Sequence, residues 1–263
     1  MELLQILVHA AVDDLRLLLS VLRGSAAGAP DSAACQARAA AVARLCAELG
    51  ASVEPALVSR LDESCEALAV AGYEVVEAKI PGGARLPELF GELVGTELLA
   101  HGLPALGTEI GAETCGYLEA MFGSRRLPGI AELVAAQTEP ASLASAVSTW
   151  MDQNPLVVAP VVGAEPPPLG FDRDLSASGA AQLFDLMRNA VWVNLLGLPG
   201  AALPNGIQVV GRRFAEAEVF DAAGSARPLL LAAQEAPWGR LLRDIRRYLN
   251  AWDQGPRRLL DCR

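Results

Sequence analysis

Lysine is almost missing from this chain: Lys79 is the only one in 263 residues. A phosphate-binding P-loop needs Gly-Lys-Ser/Thr, and Ile80 follows Lys79, so that class of nucleotide site is excluded. Histidine is nearly as scarce, with His9 and His101 alone, so no His-Glu-x-x-His zinc helix exists and metal catalysis would have to rest on carboxylates. There is no Gly-x-Gly-x-x-Gly and no Gly-x-Ser-x-Gly elbow. The five cysteines (Cys35, Cys46, Cys65, Cys115, Cys262) form no Cys-x-x-Cys pair. An odd, scattered set reads as reduced thiols in a cytoplasmic protein. No apolar run approaches the roughly 18–20 residues that cross a bilayer, so no membrane partner is expected. Glu2 stands where a secretory leader needs positive charge, and Asp13 and Asp14 interrupt the apolar N-terminal stretch before any small-residue cleavage site, so it reads as no signal peptide.

What the chain does have is apolar bulk and acid. Hydrophobic residues make up 52% and the net charge is −10. The first argues for a packed core rather than disorder. The second repels phosphate backbones, so nucleic acid is not an expected partner. The arginines of the C-terminal stretch (Arg240, Arg243, Arg246, Arg247, Arg257, Arg258) read as a solvent-facing set on, and just beyond, a last helix expected over 236–253.

Hydrophobic periodicity places the elements. Val12, Leu15, Leu18, Leu19 and Leu22 share one helical face, and a small-residue loop follows at 24–35. A strand is expected over 40–46. The stretch 53–81 reads as a helix opened by Pro55, with Leu57, Val58, Leu61, Cys65 and Leu68 as its buried stripe, then Gly72 and a strand "YEVVEAKI". Strand, helix and strand with short joints predict a βαβ unit and a parallel pair. Further helices are expected at 86–100 and 130–151. "NPLVVAPVVG" (154–163) is a strand buried on both faces, followed by an extended Pro-rich loop at 164–170. Then come a helix at 176–197, a strand at 205–213, a helix at "AEAEVFDAAGSA" and the terminal helix. The fold class expected is α/β: a partial mixed sheet with helices on both faces, in one domain over 1–263.

Asn-Leu-Leu-Gly-Leu-Pro-Gly (194–200), Gly-Ile-Gln-Val-Val-Gly-Arg (206–212) and Glu218 entering a helix resemble the C-terminal portion of the amidase signature family. "NPLVVAPVVGAEPPPLG" looks like that family's strand and Pro-rich loop, "GYEVVEAKIP" like its strand ending in proline, and "VDDLRLLLSVLRG" like the helix after its nucleophile segment. The matching order across residues 10–225 carries the resemblance. It implies hydrolysis of carboxamide C–N bonds by a Ser–Ser–Lys triad, with backbone N–H groups of a glycine- and serine-rich loop holding the oxyanion and no cofactor.

The catalytic parts are what the sequence does not contain. The Gly-Gly-Ser-Ser-Gly-Gly type of loop is absent, and Lys79 is expected at the surface near a strand end rather than at the family's catalytic position. The chain is therefore expected to correspond to the portion after the nucleophile, with no catalytic residue of its own and no turnover by itself. A small-molecule amide would be its substrate only if the triad were supplied. Trp192, Asn194, Gly197, Pro199 and Gln208 mark the wall of the substrate pocket. Each has a plainer structural alternative, since glycine and proline serve turns, Asn194 could cap backbone groups, Gln208 could bond within the sheet and Trp192 could pack in a core. Pro204-Asn205-Gly206 replaces the family's longer hairpin and predicts a tight turn of the Asn-Gly kind.

Two rival readings follow. One is a non-catalytic amidase-like binding or scaffold protein that self-associates or pairs with a complementary subunit, because half a sheet leaves a strand edge to cover. The other is an unrelated thiol enzyme using Cys115 with His101 as base. Two residues make no triad, and a buried structural cysteine is the plainer account.

Overall fold

The apolar run at Leu156–Pro160 is the centre around which the molecule is built. All five residues of this strand (β3) are buried, as expected for a strand covered on both faces. The computed structural model describes residues 41–98, 100, 111–122, 130–165, 167–168, 171 and 176–233, together with Leu15, Arg16 and Leu19. The 24–35 loop, the terminal helix, both histidines, Cys35 and Cys262 lie outside the described residues, as does most of the helix expected at 12–22.

Strands β1 (Ala41–Arg44), β2 (Glu74–Glu77), β3, β4 (Gly200–Ala202) and β5 (Ile207–Gly211) form a mixed sheet in the order β2-β1-β3-β5-β4. Helix α1 (Pro55–Val70) connects β1 to β2, which pair in parallel, Val42 opposite Val75. That is the βαβ unit the sequence predicts. β1 also pairs in parallel with β3, whereas β5 runs antiparallel to β3 and β4. The remaining helices are α2 (Arg85–Glu97), α3 (Ala112–Phe122), α4 (Ile130–Met151), α5 (Ala177–Leu196) and α6 (Glu216–Ala233).

The sheet separates two apolar layers. Val42, Leu156, Val158, Ile207 and Val209 face α1 and α6, where Leu61, Leu68, Val219 and Ala223 meet them. Leu15 and Leu19 pack against this layer, and Arg16 pairs with Asp221 and lies over the Phe220 ring. Ala43, Val157, Ala159 and Val210 face the opposite way, against Leu86, Val147, Met151, Trp192 and Leu196 of α2, α4 and α5. Side chains of successive strand residues point to opposite faces, so one continuous apolar run feeds both layers.

Three local expectations are corrected. The buried stripe of α1 is Leu57, Leu61, Ser64, Ala67 and Leu68, whereas Val58 and Cys65 are half-buried. Ser64 is tolerated inside because Asn205 Nδ2 donates to its hydroxyl oxygen at 2.8 Å. The β4–β5 turn is not a two-residue Asn-Gly turn, which needs positive φ at both central residues. Only Gly206 has positive φ, and Gly206 N–H donates to Leu203 O at 3.3 Å. It is a three-residue loop with proline in its first position, the geometry of a type I turn closed by a left-handed glycine. Finally, α6 runs past Pro228 to Ala233, held on the sheet by buried Ala226 and Leu230.

Phe214, just after β5, combines a positive φ of 65° with 85% exposure. A left-handed conformation costs a non-glycine residue about 1–2 kcal/mol, and this ring recovers little by burial. Phe214→Gly is therefore expected to raise stability by about 1 kcal/mol in urea unfolding, net of the added freedom of the unfolded chain.

Cys65 offers a pH-dependent test of α1 packing. Burial pushes its thiol up to about 11, although neighbouring Arg44 opposes the shift. A free thiol ionises near 8.5, so the unfolded chain loses this proton first. The Cys65 contribution is complete below about pH 8.5 and is lost as pH rises toward its folded value, on the order of 2 kcal/mol in all once solvent screening at this half-buried site is counted. Urea melts across that range should fall in midpoint, and Cys65→Ala should flatten the slope.

Candidate functional site

In open α/β sheets a ligand crevice forms beyond the carboxyl ends of parallel strands, where the chain order reverses. Here that point lies between β1 and β3: from β1 the chain turns outward to β2, while β3 leads the other way to β5. The segments leaving β1 and β3 meet there. Glu54 N–H donates to Gly163 O at 2.9 Å and Gly163 N–H donates to Leu186 O at 3.0 Å. These bonds fasten the β3 exit to both the start of α1 and the middle of α5.

A cleft of about 670 Å³ opens at this junction, lined by Ser52, Val53, Glu54, Pro55, Ala164, Ala181, Gln182, Asp185 and Leu186. Its size is that of a small-molecule site, and its make-up is an apolar wall with a few polar groups. The polar groups are braced. Asp185 accepts from Ser52 N–H at 3.4 Å and faces Arg188 Nε at 3.2 Å. Arg188 lies over the Phe184 ring and within 3.8 Å of Glu88. Glu54 accepts from Glu165 N–H at 3.4 Å, and Glu165 is in turn bridged by Arg60 at 2.6 Å.

Chemically the cleft can bind and orient more readily than it can attack. Among the described residues that line it, Ser52 supplies the one hydroxyl and none is histidine or lysine. A serine nucleophile needs a base within hydrogen-bond reach, and among the described residues Ser52 Oγ makes no such bond. Lys79 is exposed, just past β2. Cys115 is half-buried on α3, and His101 lies outside the described residues. Among the described residues no three of His, Cys, Asp and Glu are grouped to hold a metal ion, and no described helix is long and apolar enough to cross a membrane.

None of the five residues expected to line a pocket is among the described lining residues of this cleft. Gln208 stands nearest the cleft: its Nε2 donates to Pro160 O at 3.2 Å and to Asn189 O at 2.8 Å, tying the end of β3 to α5 behind the cleft wall. Trp192 is fully buried in the α2–α4–α5 layer. Gly197 is the left-handed cap of α5, which opens on the Ser176 side-chain cap. Gly197, Pro199 and exposed Asn194 lie at the opposite end of the sheet, where Pro199 O accepts from Gly211 N–H at 2.9 Å. Sequence reasoning missed Ser52, Glu54, Gln182 and Asp185. The one local sign was Pro55 opening a helix directly after a strand exit.

No protein-family model and no curated protein sequence matches the chain. Solved structures do match. A 6-aminohexanoate cyclic dimer hydrolase aligns over 87% of this chain at 17% identity with a TM-score of 0.60. A bacterial aryl acylamidase belonging to the amidase signature enzymes aligns over 77% at 14% identity and 0.51. A chain of an inhibitor-bound vestigial protein complex, described as revealing the evolutionary origins of an s-triazine catabolic enzyme, aligns over 72% at 17% and 0.53. The chain spans 55%, 45% and 42% of these proteins respectively. With its five-stranded mixed sheet and helices on both faces, the chain is built on part of the amidase-signature fold.

Proposed function

We propose that this chain forms the cleft-bearing C-terminal part of an amidase-type hydrolase acting on carboxamide C–N bonds, and that it turns over no amide by itself. The observation that carries the reading is a pairing: the amidase-signature fold around a switch-point cleft, in a sequence whose single lysine is exposed and which has no Gly-Gly-Ser-Ser-Gly-Gly loop. The cleft's role is to hold the substrate, with Val53, Ala164 and Leu186 against its apolar part and Gln182 and Ser52 orienting its polar part. Gln208 acts as a positioning residue for that wall, and the remaining residues of the family-like stretch (Trp192, Asn194, Gly197, Pro199) support it at a distance. The scattered cysteines favour the cytoplasm. The test is a panel of simple and aryl amides followed by product release. The purified chain should give the blank rate, and turnover lost on Ser52→Ala would overturn the reading.

A second reading, a non-catalytic module that pairs with another chain, is favoured by one observation. Among the described residues β4 bonds to β5 alone, and its sequence, Gly200-Ala201-Ala202, carries no charge to guard its outer edge. The other outer strand, β2, is flanked by Glu74 and Glu77. Light scattering tests this reading: the chain alone should self-associate and a charged residue at Ala202 should disperse it, whereas a stable monomer would contradict it.

A further inference from the structure

A second pocket lies at the far end of the sheet from the switch-point cleft, where β5 ends, β3 begins and α5 reaches its C-terminus. It holds about 250 Å³, with Val147, Met151, Leu196 and Leu198 among the apolar side chains of its floor and Arg212 and Arg213 on its wall. Val147, Met151 and Leu196 are buried, so the floor is part of the packed core and keeps its shape without a ligand.

The arginines are what give the pocket chemical character. Arg213 donates Nε–H to Leu196 O at 3.1 Å. A guanidinium has five N–H donors, and among the described residues Arg213 faces no carboxylate. Gly197 leaves the room its planar group occupies, since a Cβ there would come within 3.2 Å of Arg213 Nη2. Arg212 is partly neutralised, with one nitrogen, Nη2, 3.1 and 3.4 Å from the Glu218 oxygens. The bond from Arg213 also offsets the negative end of α5. Two guanidiniums against one carboxylate leave a local positive excess in a chain of net charge −10.

We propose that this pocket binds a short-chain amphipathic carboxylate, its apolar tail on the Met151–Leu196–Leu198 floor and its carboxylate on Arg213 with Arg212 beside it. Forked guanidinium–carboxylate pairing supplies the geometry. The volume lies just under the range of drug-sized clefts, which limits the tail to a few carbons. The site is separate from the cleft of the proposed amidase reading and does not depend on it.

The probe is sodium hexanoate, titrated into the full chain by calorimetry and followed by methyl NMR. Saturable one-to-one binding is expected, with shifts at the Met151, Leu196 and Leu198 methyls. Acetate (charge without tail) and hexan-1-ol (tail without charge) should each bind at least tenfold more weakly. Ser148→Phe, at an exposed lining position on α4, obstructs the pocket while keeping both arginines in the chain and should weaken hexanoate at least tenfold. Arg213→Gln should do the same, and Arg213→Lys should recover part of the loss. Hexan-1-ol binding as well as hexanoate, binding unchanged by Ser148→Phe, or no saturable binding would each overturn the proposal.

Discussion

Trp192→Ala is expected to cost about 3–5 kcal/mol of folding stability, the range for deleting a buried aromatic side chain. The indole is fully buried among residues that span the whole α2–α4–α5 layer, from Ala43 and Val157 on the sheet to Leu86, Val147 and Met151 on the helices. Removing it leaves a cavity bounded by three helices and a sheet, which cannot all close inward together. Trp192→Phe should be far milder. It loses part of the contact area, but it also removes Nε1–H, a buried donor with no partner among the described residues, and an unmet buried donor itself costs about 1–3 kcal/mol. Urea unfolding of the two variants checks this. Equal losses in both would mean that the indole N–H, not the volume, matters at this position.

Gly163→Ala should show the next largest effect, about 1–3 kcal/mol, as overpacking against rigid neighbours does. A Cβ at Gly163 would lie 2.3 Å from the Ser52 carbonyl oxygen. The obstacle is backbone, so no side chain can swing aside. The β3 exit must then move away from the start of α1 and strain the Glu54–Gly163 bond that joins them. Because this junction is the floor of the switch-point cleft, the change should also raise hydrogen exchange at the Glu54 amide. Unaltered stability and unaltered exchange would contradict the close approach.

Much of the fold is legible in the sequence. The run 156–160, the Pro55 start of α1, the Ser176 and Gly197 ends of α5 and the parallel βαβ pair are local signals, and each corresponds to an element with the expected neighbour. The errors are equally instructive. Ser64 displaces Cys65 from the buried stripe because Asn205, far along the chain, reaches its hydroxyl. The turn type failed because Pro204 presets the first position of a type I turn and leaves only Gly206 left-handed.

The site was less legible than the fold for the same reason. A switch-point cleft is created by strand order, and nothing local to Ser52 or Asp185 says that β3 lies beside β1. The family-like stretch 192–208 instead runs through the core from one end of the sheet to the other. Gln208 stands at the end of β3, while Asn194, Gly197 and Pro199 gather at the opposite end of the sheet.

The central claim is that these residues form an amidase-fold cleft without an attacking group. Incubation of the isolated chain with a serine-reactive fluorophosphonate, read by intact mass, tests it most directly. An unchanged mass is predicted. A stoichiometric adduct, on Ser52 or on any other side chain, would contradict it.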